Sequence, residues 1–61
     1  MTTEQQSTID FFAGIARENG SKLDWGYFDD GSLIMEETAS SDWDNERTQW
    51  VVGADGKAQI L

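Results

Sequence analysis

The spacing of apolar residues changes character at Gly20. Before it, Ile9, Phe12, Ala13, Ile15 and Ala16 recur at helical spacing over a broad face, with Phe11 on its flank. That width predicts a helix buried against a sheet rather than a narrow coiled-coil seam. The helix is expected over about 4–19. Thr3 with Gln6, or Ser7 with Asp10, supplies an N-cap and its N3 partner. Glu4 and Asp10 suit the positive end of the helix dipole. Asn19-Gly20 predicts the stop, because Gly takes the left-handed conformation without a Cβ clash. Gly14 interrupts this helix, and close approach of the backbone to an aromatic of the sheet is the expected reason.

After Gly20 the period becomes two. Leu23, Trp25 and Tyr27 alternate with Asp24, Gly26 and Phe28, which is strand periodicity. A two-residue Asp30-Gly31 turn would pair Trp25 with Glu36 and mix apolar with charged groups. A three-residue loop, Asp29-Asp30-Gly31, pairs Tyr27 with Leu33, Trp25 with Met35 and Leu23 with Glu37. A one-residue slip would turn the apolar set to the wrong face, so the second register is predicted. Residues 38–46 read as a polar loop. Arg47–Val52 is a third strand with Thr48, Trp50 and Val52 on one face. Ala54-Asp55-Gly56 repeats the first turn and pairs Val52 with Ala58 and Trp50 with Ile60, giving a short fourth strand over Lys57–Leu61. The chain has no Pro to forbid these ladders.

The predicted fold is therefore α+β: one N-terminal helix packed on a small antiparallel sheet of three to four strands. The order is α-β-β-β-β, with hairpins at about 22–37 and 47–61 in a single domain, 1–61. The expected core is Ile9, Phe12, Ala16, Leu23, Trp25, Tyr27, Leu33, Met35, Trp50, Val52 and Ile60, with the opposite sheet face left to solvent.

Composition narrows the chemistry. A chain of 61 residues buries only about 60% of its unfolded surface. It has no Cys for a disulfide or zinc cluster and no His for a proton relay. Its three Trp, three Phe and one Tyr must carry the packing. The polar start, MTTEQQST, has no basic or apolar region of a signal peptide, and no apolar run approaches the roughly 18 residues of a membrane span. A cytoplasmic setting is expected, the host cytoplasm if the chain is phage-encoded.

Charge is the most uneven property of the chain. The formal charge is −8, and all of it lies in one segment. Between Asp24 and Glu46 stand eight carboxylates and no Lys or Arg, whereas the other four acids are balanced by the four bases. Such a segment repels nucleic acid and anionic membranes and favours a basic protein partner. The predicted register sets Asp24 opposite Glu36, which destabilises the ladder unless something compensates. Glu37 adjoins them, Asp29 and Asp30 cap the hairpin, and Asp42, Asp44 and Glu46 follow in the loop. Phe28 and Ile34 face outward beside Gly26, so a small apolar anchor has a charged rim. Trp43, flanked by Asp42 and Asp44, either tucks over the sheet or serves as a binding anchor. The partner-binding set is thus Asp24, Asp29, Asp30, Glu36, Glu37, Asp42, Trp43, Asp44 and Glu46.

Other chemistries fit poorly. Asp42-Trp43-Asp44-Asn45-Glu46 opens like a calcium loop, but the Gly and Glu expected at its sixth and twelfth positions are Arg47 and Gly53. Asp24 and Glu36 could stand as a hydrolytic carboxylate pair, but one face of a small sheet offers little of the concavity a sugar site needs. No His stands ready to activate a Ser or Thr. No enzyme activity, catalytic residue, cofactor or metal is expected.

The short chain without Cys or His, together with the segment DWGYFDDGSLIMEETASSDWDNE, resembles a functional class. These are the small acidic phage or plasmid inhibitors of host nucleic-acid enzymes, such as anti-CRISPR and anti-restriction DNA mimics. The likeness is one of composition. It implies a stoichiometric inhibitor that occupies a DNA-binding groove of a basic, nucleic-acid-binding protein, without contacting nucleic acid or membrane itself. The alternative is a small structural or assembly accessory protein that self-associates, its acidic face serving solubility; the chain is expected to be a monomer or weak homodimer.

Overall fold

The computed structural model describes residues 1–39 and 47–61. A helix, α1 (Thr3–Asn19), is followed by four strands, β1 (Lys22–Tyr27), β2 (Leu33–Thr38), β3 (Arg47–Val52) and β4 (Ala58–Ile60). The strands form one open antiparallel sheet in the order β1-β2-β3-β4. The α+β fold and its α-β-β-β-β order are those the residue pattern predicts.

Both predicted registers are present. Tyr27 faces Leu33, Trp25 faces Met35 and Leu23 faces Glu37, while Val52 faces Ala58 and Trp50 faces Ile60. Each turn has Gly at positive φ, 91° at Gly31 and 84° at Gly56. The two hairpins join through β2 and β3, with Leu33 opposite Val52 and Met35 opposite Trp50.

The helix begins one residue before the earlier of the two expected caps. Thr2 is the N-cap, its hydroxyl accepting from the Gln5 amide at 3.1 Å, while Gln5 Oε1 accepts from the Thr2 amide at 3.0 Å. Gln5 wins this role because it also reaches the sheet. It is only 1% exposed, and its Nε2 donates to the carbonyls of Gly31 (3.0 Å) and Val52 (3.4 Å). One amide side chain therefore ties the helix start to both hairpins, with no buried polar side-chain atom left unpaired among the described residues. The Thr2 hydroxyl also donates to the Ala54 carbonyl at 2.7 Å, and the Thr8 hydroxyl lies 2.6 Å from the Gly56 carbonyl. At the other end Gly20 is left-handed, as predicted, and its N–H reaches the carbonyls of Ala16 and Arg17.

The core is narrower than predicted. Ile9, Ala16, Leu33, Met35 and Val52 are buried, with Phe12, Leu23, Trp50 and Ala58 packed against this group. Trp25 (44%), Tyr27 (51%) and Ile60 (70%) are exposed. The reason is width. A helix with its side chains is about 10–12 Å across, whereas four strands at about 4.8 Å spacing span more. The fully buried strand residues belong to β2 and β3, and the outer strands β1 and β4 carry the uncovered ones. Gly14 is corrected too: among the described residues a Cβ there meets no atom of a neighbouring element within 4 Å, so no close approach to an aromatic of the sheet explains it.

Candidate functional site: the open sheet face

Alternation divides the sheet residues into two sets. Leu23, Trp25, Tyr27, Leu33, Met35, Glu37, Trp50 and Val52 face the helix side. Asp24, Gly26, Ile34, Glu36, Gln49 and Val51 face the open side. Asp24 stands directly opposite Glu36, as predicted. Glu37 does not join them. It is one residue along β2 and points to the helix side. Asp29 and Asp30 cap the hairpin, roughly 17 Å from Asp24 by strand rise. Asp42, Trp43, Asp44 and Glu46 lie outside the described residues.

Relief of the Asp24–Glu36 repulsion comes from just outside the acidic segment. Arg47 Nε lies 3.5 Å from Glu36 Oε1, and Gln49 Nε2 donates to Glu36 Oε2 at 3.4 Å. Lys22 Nζ is 3.9 Å from Asp24 Oδ2. These bases were visible in the sequence at the borders of the run. Only the pairing of β2 with β3, which sets Gln49 opposite Glu36 and Arg47 opposite Thr38, brings Arg47 to the carboxylate. Glu36 is 28% exposed at its side chain and so is held more firmly than Asp24 at 63%. Exposed pairs of this kind stabilise by about 0–1 kcal/mol.

Between these charges the sheet has a dip. Gly26 puts no side chain on the open face, and among the described residues a Cβ there would meet nothing within 4 Å. The result is a depression of about 120 Å³ lined by Asp24, Trp25, Gly26, Ile34 and Glu36. Ile34 lies directly across from Gly26. Phe28, next in register on the same face, is half-exposed. The apolar anchor and acidic wall expected from the sequence are thus adjacent, with Asp24 and Glu36 at one end and Asp29 and Asp30 beyond Phe28.

Asp30 has a structural duty as well. Its Oδ1 accepts from the Ser32 hydroxyl at 2.6 Å and from the Ser32 amide at 3.0 Å. The hydroxyl, then the amide, hold its carboxyl below the ordinary carboxylate value. Among the described residues the Asp29 side chain accepts no bond of this kind, so it is the freer charge at the hairpin tip.

No group of three or more His, Cys, Asp or Glu side chains among the described residues is placed to hold a metal ion. No helix among them is long and apolar enough to cross a membrane. The fold and site define an α+β domain with an open sheet face, where a small apolar depression is bordered by carboxylates. No family model, curated protein or solved structure matches the chain.

Proposed function

We propose that this protein is a non-enzymatic inhibitor that binds a basic, nucleic-acid-binding protein surface and keeps DNA from it. The observation that carries this reading is the depression at Gly26. A shallow apolar floor with carboxylates on its rim suits a Lys or Arg side chain, whose aliphatic stem covers Ile34 and whose cation meets Asp24 or Glu36. Phe28 adds an aromatic contact, and Asp29 at the hairpin tip extends the negative field that steers a basic partner. A surface patterned to bind DNA offers such cations in number. The acidic-inhibitor resemblance of the 24–46 segment points the same way.

The test is capture by the tagged chain from lysate of its native cells, with elution by salt or by double-stranded DNA. A basic DNA-binding protein released by both is expected. Release by salt but not DNA would remove the mimicry. Asp24→Lys combined with Asp29→Lys is expected to weaken that protein's binding about tenfold or more, with the melting curve unchanged. Asp30 is a poorer choice, because reversing it also unties the turn at Ser32. Undiminished binding by the double variant would exclude this face as the site.

A further inference from the structure

We infer that β1 pairs with β1 of a second copy, antiparallel, about a two-fold axis at Trp25. This surface adjoins the acidic face, with Asp24, Trp25 and Gly26 common to both, but it uses the outer backbone edge of the sheet. In the first hairpin the Phe28 amide donates to the Ser32 carbonyl at 2.9 Å, so Phe28 and Ser32 form a hydrogen-bonded pair. Antiparallel alternation then makes Gly26–Ile34 and Asp24–Glu36 hydrogen-bonded pairs too. The N–H and C=O groups of Leu23, Trp25 and Tyr27 therefore point away from β2. Among the described residues no strand pairs with that edge. The side chains of Trp25 and Tyr27 are half-exposed beside it, ring against ring with centroids 5.5 Å apart.

The order of residues along β1 selects both the occupant and the register. Centred on Trp25, Leu23 faces Tyr27 of the second copy and Trp25 faces its own equivalent. All three outward-pointing residues then exchange backbone bonds with one another. Their side chains join in one apolar row on the helix side. On the open face Asp24 falls opposite Gly26, which presents no side chain. Shifting the axis to Asp24 would set two aspartates face to face, and shifting it to Gly26 would leave Leu23 to pair with the turn residue Asp29. Pairing β1 with β4 of another copy is a head-to-tail contact, which builds rings or filaments rather than a two-fold dimer. The opposing force is net charge, −8 on each copy, so pairing should strengthen as salt screens it. Binding of a basic partner should weaken with salt, so either inference can fail without the other.

Sedimentation equilibrium of the purified chain tests this, from about 0.1 M salt to about 1 M, where the Debye length falls from about 10 Å to 3 Å. A dimer that tightens with salt is expected. Gly26 is open in the single copy, so substitutions there read the register. Gly26→Lys should tighten the dimer, and Gly26→Asp should weaken it by about tenfold through two symmetry-related contacts with Asp24. Thermal melts of the dilute variants check that each still folds. Hydrogen exchange supplies a readout without substitution: the amides of Leu23, Trp25 and Tyr27 should be slow in the dimer and fast in the dilute monomer. A monomer at every salt concentration overturns the inference. So does a dimer indifferent to both substitutions, or protection of those amides only when a different protein is added.

Discussion

Asp30 and Asp55 occupy the same position in two turns of one type. Each accepts the amide two residues on at 3.0 Å, from Ser32 and from Lys57. Asp30 alone gains a hydroxyl, and its carboxyl is held below the ordinary value of 3.8. A depressed carboxyl stabilises the fold above its ordinary titration range and loses that contribution as pH falls through the depressed value. Carboxyl NMR should therefore find Asp30 titrating below 3.8, with Ser32→Ala moving it upward. The turn glycines differ more. A Cβ at Gly31 meets nothing within 4 Å, but one at Gly56 would lie 2.7 Å from the Glu4 carbonyl oxygen. Gly31→Ala should cost about 1–2 kcal/mol, for positive φ alone. Gly56→Ala adds the clash and should cost clearly more, which urea unfolding of the two variants will show. The x-Asp-Gly motif gives both turns from sequence. That one of them lies beneath the helix start is a contact between residues 52 apart and leaves no local mark.

At the scale of the element, α1 is held mainly at its start. Thr2, Gln5 and Thr8 anchor it to Ala54, Gly31, Val52 and Gly56, while Phe12 packs against Trp50 with ring centroids 4.8 Å apart. Gln5 was legible only as a polar residue near a helix end, because its burial depends on where the two turns converge. Among the described residues, no neighbouring element lies within reach of a Cβ at Gly14. Gly14→Ala should stabilise the protein by about 0.5–1 kcal/mol by removing backbone entropy from the unfolded chain. A higher urea midpoint at unchanged slope checks it. An unchanged or lower midpoint would mean that Gly14 serves a contact outside the helix–sheet interface.

At the scale of the whole molecule, the fully buried strand residues lie on β2 and β3, while β1 and β4 are only partly covered. Stability should therefore be concentrated in the middle of the sheet. Met35→Ala, at a fully buried position, is expected to cost about 2–5 kcal/mol. Ile60→Thr, on the β4 edge, should stay within about 0.5 kcal/mol. Denaturant unfolding of the two variants separates the cases, and equal losses would mean that the edges are covered in solution. Among the described residues, the same geometry leaves free both the open face that carries the depression and the β1 edge. The candidate site was partly legible for this reason: once the first hairpin's register was chosen, strand alternation fixed Asp24 opposite Glu36 and Phe28 and Ile34 on the outer face. It placed Glu37 on the other side by the same rule.

The sequence by itself determined whatever depends on near neighbours: the helix and its Gly20 stop, both hairpin registers, and the side of the sheet to which each strand residue points. These follow from turn chemistry and periods of 3.6 and two, which act over a few residues. Only the tertiary structure decided how the hairpins join. It set Met35 against Trp50, brought Arg47 and Gln49 to Glu36, and carried the helix start onto the Gly56 turn. It also decided that Trp25 and Tyr27 stay half in water and that Ile60 stays mostly exposed. Apolar alternation gives a strand residue its face, but burial depends on how far the covering layer reaches, and a single helix is narrower than a four-stranded sheet.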